Sequence, residues 1–189
     1  NGTININGNN SGGMVFLSEI DNSGENVVNN GNININSGAA NSFGIYSSVG
    51  TSKFTNEGNI KLLSSTKAIG LRNEGGQLSN GNSGIISITN GTSNIGLYIT
   101  GGTSENRGEI NISNGSDNTA VYATGTGTSV TNSGDIDAVS SGKIKGIIIT
   151  DNASMTNSKN IKLDGIRVSR YICIKFGYFC FFGNRKCGY

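Results

Sequence analysis

Polar and aliphatic residues alternate in short runs that recur along most of this 189-residue chain. In each run a glycine is followed by a polar residue, an isoleucine, a polar residue and a second aliphatic residue, as in Gly31-Asn32-Ile33-Asn34-Ile35. This alternation places the aliphatic side chains on one face of a strand and the polar side chains on the other. The runs therefore predict short β-strands, and no segment sustains the periodicity of a helix.

The runs return at a nearly constant interval. They start at Gly2, Gly31, Gly58, Gly84, Gly108, Gly134 and, in a degenerate copy, Lys159, with separations of 29, 27, 26, 24, 26 and 25 residues. A second apolar run follows each start by 12 or 13 residues, and a third apolar position, such as Phe54 or Leu78, precedes the next start. Where the spacing of the first run shortens to 24 residues, that of the second run shortens to 24 as well. The chain is therefore built from one repeating unit of about 26 residues.

Three short strands in each unit predict one coil of a parallel β-helix. The predicted fold is thus all-β, a solenoid of about six coils of roughly 26 residues, with Ile, Leu and Val inside and about 4.8 Å between coils. The chain contains no proline, as expected where interior strands must donate hydrogen bonds to both neighbouring coils. We expect glycine and asparagine to supply corners with positive φ.

The composition divides the chain into a repeat region, residues 1–164, and a tail, residues 165–189. The repeat region has nine basic and twelve acidic residues, whereas the tail has five basic residues, no acidic residue and all three cysteines, Cys173, Cys180 and Cys187. The tail has three interpretations: a frameshift product, which we favour, a hydrophobic cap, or a segment that binds a membrane surface. The cysteine spacing does not match a metal-binding pattern, and three is an odd number for internal pairing.

Several classes of chemistry are not expected. The chain has no histidine, which excludes Ser-His-Asp and Cys-His hydrolysis and histidine-based zinc sites. It has no apolar run long enough for a transmembrane helix, and it has neither a phosphate-binding loop nor a basic stripe for nucleic acid. We therefore expect no cofactor, no metal and no nucleic-acid partner.

An asparagine lies two positions before almost every repeat start. This column consists of Asn29, Asn56, Asn82, Asn106, Asn132 and Asn157. Stacked at one corner of the coil, amide side chains can hydrogen-bond to one another and to the turn backbone. We expect a structural asparagine ladder and no ligand site, because amides alone are weak metal ligands.

One outward column carries aromatic and basic side chains. It consists of Tyr46, Arg72, Tyr98 and Tyr122, one residue from each of four successive coils. In register, Arg72 would lie between aromatic rings as a cation–π layer. The column is either a strip that binds a sugar or a protein, or a stacking ladder that only stabilises the sheet.

Three carboxylates define an enzymatic alternative. Asp135 and Asp137 flank Ile136, so both should point outward about 7 Å apart, with Glu109 one coil below. Such a set could serve as acid and base in a glycoside hydrolase or a polysaccharide lyase. The interpretation that we favour is a solvated face of the rod, on which Lys162 partly balances Asp137.

Asn-x-Gly-x-Ile-x-Ile, Gly-Ile-Tyr and Ser-Val-Thr-Asn motifs at this spacing resemble the passenger regions of type V autotransporters of Gram-negative bacteria. The resemblance covers residues 1–164. It implies a right-handed β-helix that is exported through the outer membrane, displayed at the cell surface and often used in virulence for adhesion. The partners would be a host or bacterial surface protein or glycan, together with an outer-membrane barrel of the same parent chain.

Neither a leader nor such a barrel is recognisable in the sequence, so we interpret the chain as a fragment. The absence of cysteine from the repeat region suits passage through an oxidising periplasm. The expected function is non-enzymatic adhesion or cell–cell contact by an elongated rod. A carbohydrate-active β-helix is the alternative, and a bare spacer is a third possibility.

Overall fold

The computed structural model describes residues 2–18, 26–48, 50, 53–175 and 178–180, which contain strands and no helix. The first eight strands are β1 (Thr3–Ile6), β2 (Gly12–Phe16), β3 (Asn26–Asn29), β4 (Asn32–Ile35), β5 (Phe43–Ser47), β6 (Lys53–Asn56), β7 (Asn59–Leu63) and β8 (Ile69–Asn73). The next six are β9 (Gln77–Asn80), β10 (Ile85–Thr89), β11 (Ile95–Ile99), β12 (Thr103–Asn106), β13 (Glu109–Ser113) and β14 (Asn118–Thr124). The last five are β15 (Ser129–Asn132), β16 (Asp135–Thr150), β17 (Ser154–Asn157), β18 (Ile161–Lys175) and β19 (Tyr178–Cys180).

Parallel pairing stacks these strands into three columns, one strand of each column per coil. Face 1 contains β1, β4, β7, β10, β13 and the first half of β16, and face 2 contains β2, β5, β8, β11, β14 and the second half of β16. Face 3 is a separate sheet of β3, β6, β9, β12, β15 and β17. The predicted parallel β-helix of about six coils, with three strands in each, is confirmed.

The register follows the repeat that the sequence predicts. On face 1, Thr3 pairs with Asn32, Asn32 with Asn59, and Asn59 with Ile85. The aliphatic residues of each coil therefore stack on those of the next. Among the described residues, twenty-six buried hydrophobic side chains form one core cluster along the axis. Burial of this column is the main stabilising term, because a single coil has no core of its own.

The repeat glycines allow the coils to stack closely. A Cβ atom on Gly58 would lie 2.0 Å from the carbonyl oxygen of Gly31, and one on Gly108 would lie 2.1 Å from that of Gly84. Neither glycine has a positive φ, whereas Asn90 and other corner residues do. Corners with positive φ are formed by other glycines and by asparagines, such as Gly102, Gly115 and Asn114, as expected. At Gly58 and Gly108 the repeat needs glycine because the backbone of one coil lies against that of the next.

The long strands β16 and β18 lie at the C-terminal end of the stack. The backbone of β18 pairs with β16 in parallel from Ile161 to Ile174, with a register shift at Ser140–Lys143, and β19 pairs with β18 in antiparallel orientation. Strand β18 thus crosses the predicted boundary at residue 164. The division into a repeat region and a tail stays a prediction, and Cys187 lies outside the described residues.

Candidate functional site

The aromatic column lies on the outer surface of face 2. Tyr46 pairs with Arg72, Arg72 with Tyr98, and Tyr98 with Tyr122, so each side chain is one coil from the next. All four are partly exposed. We call this column the aromatic strip. It lies on the outside because the neighbouring residues, such as Leu71 and Leu97, point into the core.

A second outward column borders the aromatic strip. Phe43, Ile69 and Ile95 pair in register at the start of β5, β8 and β11, and all three are partly exposed. The Phe43 ring lies 5.4 Å from that of Tyr46 in a tilted arrangement. Face 2 therefore carries a flat apolar surface that is two side chains wide.

Tyr46, Arg72 and Glu74 form a polar cluster at one end of the strip. The guanidinium carbon of Arg72 lies 5.3 Å from the centre of the Tyr46 ring, within the range of a cation–π contact. The Tyr46 hydroxyl donates a 2.7 Å hydrogen bond to Oε2 of Glu74, and Arg72 forms a salt bridge with Oε1. Arg72 thus contacts one ring of the strip and has its charge balanced within the chain.

This cluster shifts two ionisation equilibria. The hydrogen bond to Glu74 and burial raise the pKa of Tyr46 above its ordinary value. Burial alone would raise the pKa of Glu74, but hydrogen bonds from Tyr46 and Arg72 and the positive charge of Arg72 lower it overall. At neutral pH the pair is therefore held as an ionised carboxylate and a neutral phenol. Glu74 was not among the predicted site residues, although it follows Arg72 by only two positions in the sequence.

Tyr98 and Tyr122 stack on each other at the other end of the strip. Their ring centres are 5.4 Å apart and their planes are inclined by 17°. Within the part of the chain that the structure describes, neither hydroxyl has a hydrogen-bond partner. Their faces are directed along the column, so the ring edges and hydroxyl groups remain available to a partner.

Asparagine side chains form a continuous ladder inside one corner. The Nδ2 atom of Asn29 donates to Oδ1 of Asn56, and the same bond runs from Asn56 to Asn80, from Asn80 to Asn106, from Asn106 to Asn132 and from Asn132 to Asn157, with lengths of 2.7–2.9 Å. Asn56, Asn80, Asn106 and Asn132 are fully buried. These amides form hydrogen bonds with one another and with the turn backbone, as buried polar groups require.

Asn82 is not part of this ladder, and Asn80 occupies the predicted place. Strand β9 ends at Asn80, which pairs in register with Asn56 and Asn106. The third coil contains two extra residues between the ladder asparagine and the repeat glycine, Gly84. Counting two positions back from this glycine therefore leads to Asn82, which is exposed.

A second buried asparagine pair lies at the corner between faces 1 and 2. Oδ1 of Asn94 accepts a 2.8 Å hydrogen bond from the backbone N–H of Ala68, and Oδ1 of Asn118 accepts one of 2.9 Å from that of Asn94. Each side chain thus binds the backbone of the preceding coil. The sequence analysis missed this pair because only two coils carry an asparagine at the position before the second apolar run.

The three carboxylates of the enzymatic alternative lie on the outer surface of face 1. Glu109 pairs in register with Asp135. Glu109 accepts a hydrogen bond from the Asn111 amide, and Lys162 lies 3.4 Å from Asp137. Oδ1 of Asp137 is shielded from solvent and has no hydrogen-bond partner within the described residues. The carboxylate side chains thus have separate neighbours on an outer sheet surface.

Face 3 carries shallow polar depressions in place of an apolar strip. One, of about 260 Å³, is lined by Gln77, Ser79, Thr103, Ser104, Glu105, Ser129 and Thr131. Another, of about 550 Å³, lies at the corner between faces 3 and 1 and is lined by Asn30, Glu57, Asn82 and Ser83. Neither depression contains a residue of the aromatic strip or of the carboxylate set.

Among the described residues, no group of three or more His, Cys, Asp or Glu side chains is placed to hold a metal ion. No helix in that part of the chain is long and apolar enough to cross a membrane.

Comparisons with protein families, with curated proteins and with solved structures find no match for this chain. The resemblance to autotransporter passengers therefore rests on the repeat itself and stays a prediction.

Proposed function

We propose that this chain is a surface-displayed rod of the autotransporter-passenger type that acts in adhesion by presenting the aromatic strip to a partner. The proposal rests mainly on one observation. The strip residues Tyr46, Arg72, Tyr98 and Tyr122 stay in register on the outside of a regular stack. A solenoid of this kind gives length and a repeated outer surface, both of which suit contact between cells.

Two further features support display over a purely structural role for the strip. The hydroxyls of Tyr98 and Tyr122 have no partner within the described residues, and both side chains are partly exposed, so a binding partner could reach them. Ile69 and Ile95, which flank the strip, are partly exposed, although polar side chains at these positions would make the protein more soluble. An apolar surface with unused hydrogen-bond groups is typical of a binding site.

Adhesion can be tested with the full chain immobilised on beads and incubated with epithelial or bacterial cells. We expect bead attachment that falls at least fivefold with Tyr98→Ser. The matched control is Asn111→Ser, which changes an outward side chain of face 1 and should leave attachment unchanged. Equal attachment of all three bead types would contradict the role of the strip, and no attachment at all would favour the bare spacer.

The cell-surface location needs its own experiment. The chain would be expressed in a Gram-negative host between a secretory leader and an outer-membrane barrel. We expect added protease to remove it from intact cells. Protection until the outer membrane is broken would contradict export.

The carbohydrate-active alternative rests only on Glu109, Asp135 and Asp137. Its test is hydrolysis or lysis of a polysaccharide panel by the full chain, with Asp135→Asn as the comparison. We expect no turnover that depends on Asp135. Turnover that is lost in Asp135→Asn would replace the proposed function with an enzymatic one.

A further inference from the structure

Tyr98 and Tyr122 occupy the same outward position on two successive coils. They pair in register between β11 and β14, their ring centres are 5.4 Å apart, and their planes are inclined by 17°. Both side chains are partly exposed, and neither hydroxyl forms a hydrogen bond with any residue that the structure describes. Two phenols are thus held side by side on a surface that a reagent can reach.

We propose that this pair is the site of an oxidative cross-link, a dityrosine that joins β11 to β14. The reagent is a one-electron oxidant of the class formed by a haem peroxidase and hydrogen peroxide. The inference goes beyond adhesion and does not depend on it, because it rests on the two rings and not on a partner of the aromatic strip.

The reaction consumes two phenols and one molecule of peroxide. Each hydroxyl loses one electron and one proton to the oxidant and becomes a phenoxyl radical, whose unpaired electron is shared with the ring carbons ortho to the oxygen. A carbon–carbon bond forms between one ortho carbon of each ring, and the hydrogens on these carbons move to the oxygens as protons, which restores both phenols. The peroxide accepts the two electrons and two protons and leaves as two molecules of water.

The fold supplies the proximity that radical coupling requires. Because the register holds the rings one coil apart, their reaction is intramolecular and needs no collision with another chain. The rings must turn from the stacked arrangement until two ring edges meet. Side chains on the outer surface make such rotations rapidly. The core is not disturbed, because the adjacent Leu97 and Val121 point inward and are fully buried.

The neighbours of the pair within the column are not phenols. Arg72 precedes Tyr98, and Ile148, which is buried, follows Tyr122. Tyr46 is two coils from Tyr98, about 10 Å along the stack, and Arg72 lies between them. Oxidation of the aromatic strip should therefore give one product, in which Tyr98 is bonded to Tyr122.

The bond would act as a covalent staple between two coils. A solenoid is stabilised by contacts between neighbouring coils, so it can open locally. A cross-link between residues that are distant in sequence lowers the entropy of the unfolded chain, as a disulfide does. We expect the midpoint of thermal unfolding to rise by roughly 5–10 °C. An oxidant would thus make the rod more stable.

Peptide mapping tests the site. A dilute sample of the full chain is treated with a haem peroxidase and hydrogen peroxide, after its three cysteines have been replaced by serine because thiols react with peroxide. It is then unfolded and digested with trypsin. Tyr98 lies in the fragment of residues 73–107 and Tyr122 in that of residues 108–143, and each fragment contains one tyrosine. We expect these fragments to be linked, with a mass two hydrogen atoms below their sum.

Matched variants test whether the stacked pair is responsible. In a chain whose three tail tyrosines are also replaced by phenylalanine, the blue fluorescence of dityrosine should fall at least tenfold with Tyr98→Phe. Tyr46→Phe is the control and should leave the fluorescence unchanged, with the circular dichroism of both variants unaltered. Equal fluorescence in Tyr98→Phe would overturn the proposal.

Two further measurements complete the test. In a mixture of normal and isotopically heavy chains, we expect every linked pair of fragments to carry a single isotope, and links between normal and heavy fragments would overturn the intramolecular reaction. Dityrosine formation from added free tyrosine shows that the oxidant is active. Absence of the link between the two fragments under those conditions would overturn the proposal, and a linked chain with an unchanged unfolding midpoint would overturn the role as a staple.

Discussion

The asparagine ladder and the aromatic strip have the same periodic arrangement, but the ladder is buried and the strip lies on the outer surface. Both place one side chain per coil in register, and in both each side chain contacts the next. The ladder amides of Asn56 and Asn106 are fully buried and hydrogen-bonded. Tyr98 and Tyr122 contact each other, and their hydroxyls form no hydrogen bond with any residue that the structure describes. A column whose polar groups are all satisfied inside has only a structural role. A column that leaves groups available on the surface is where a function can be located.

The two columns should therefore differ in what substitution does to them. A change in the buried corner should lower stability strongly, because neighbouring amides lose partners in a site without water. A change in the strip should cost less stability and mainly alter binding. We expect the largest effect where the backbones of two coils are in contact and a smaller one in the ladder. The effect should be smaller again at the stacked rings and smallest at the salt bridge of Glu74.

The largest loss is expected from Gly108→Ala, next to the ladder. The new Cβ atom would lie 2.1 Å from the oxygen of Gly84 and 2.4 Å from that of Gly81, so the coils would have to separate. We expect the free energy of unfolding to fall by about 4 kcal/mol, measured by urea denaturation. Gly8→Ala is the control, since only Oγ of Ser11, at 3.4 Å, would be near its Cβ. A loss no larger than that of this control would contradict close stacking at Gly108.

The next largest loss is expected from Asn106→Leu. This removes the donor to Asn132 and the acceptor of Asn80. The buried Oδ1 of Asn132 then loses its hydrogen bond, whereas Nδ2 of Asn80 keeps its backbone acceptors. The free energy of unfolding should fall by about 2–3 kcal/mol. Asn34→Leu is the matched control, because Asn34 also bonds an asparagine of the neighbouring coil but does so on the outer surface. Its loss should stay below about 1 kcal/mol. Equal losses would mean that burial does not make the Asn106 bonds more important for stability than the bond of Asn34.

A smaller effect is expected within the strip. In a double-mutant cycle of Tyr98→Ala and Tyr122→Ala, the coupling in unfolding free energy should be about 1 kcal/mol because the rings stack. A parallel cycle with Tyr98→Ala and Asn111→Ala should give coupling near zero. If the first cycle also gave zero coupling, the stacking of the two rings would be refuted.

The smallest effect concerns pH. The pKa of Glu74 is lower in the folded chain, so its contribution is present above the unfolded value of about 4.3 and is lost as pH falls through the folded value. Wild type should exceed Glu74→Gln in stability by less than about 1 kcal/mol at pH 7. The difference should vanish near pH 2, as followed by thermal unfolding. A difference that grows towards low pH would contradict the lowered pKa of Glu74.

The fold could be predicted because each coil repeats the same alternation. Spacing alone aligned Ile33 with Ile60 and Ile86, and it also placed Tyr98 beside Arg72. What spacing could not resolve are local changes in corner length. The two extra residues after Asn80 displaced the predicted ladder member to Asn82, because a sequence count cannot tell on which side of a corner an insertion lies.

Some contacts between coils could not be predicted from the repeat spacing. The role of the repeat glycines depends on how closely two backbones approach, which no single coil encodes. Glu74 joins the strip because its side chain reaches both Tyr46 and Arg72 from the end of β8. Only two coils carry an asparagine at the position of Asn94 and Asn118, so the periodicity of the sequence did not single out this pair.

The amide bonds of the ladder all have the same direction, from Nδ2 of one coil to Oδ1 of the following coil. Each coil thus offers an acceptor on one side and a donor on the other. Duplication of a whole coil within the gene would therefore preserve every such bond, whereas an insertion that ended mid-coil would interrupt the chain of amides. The rod can evolve in length by whole units while its outward residues vary independently.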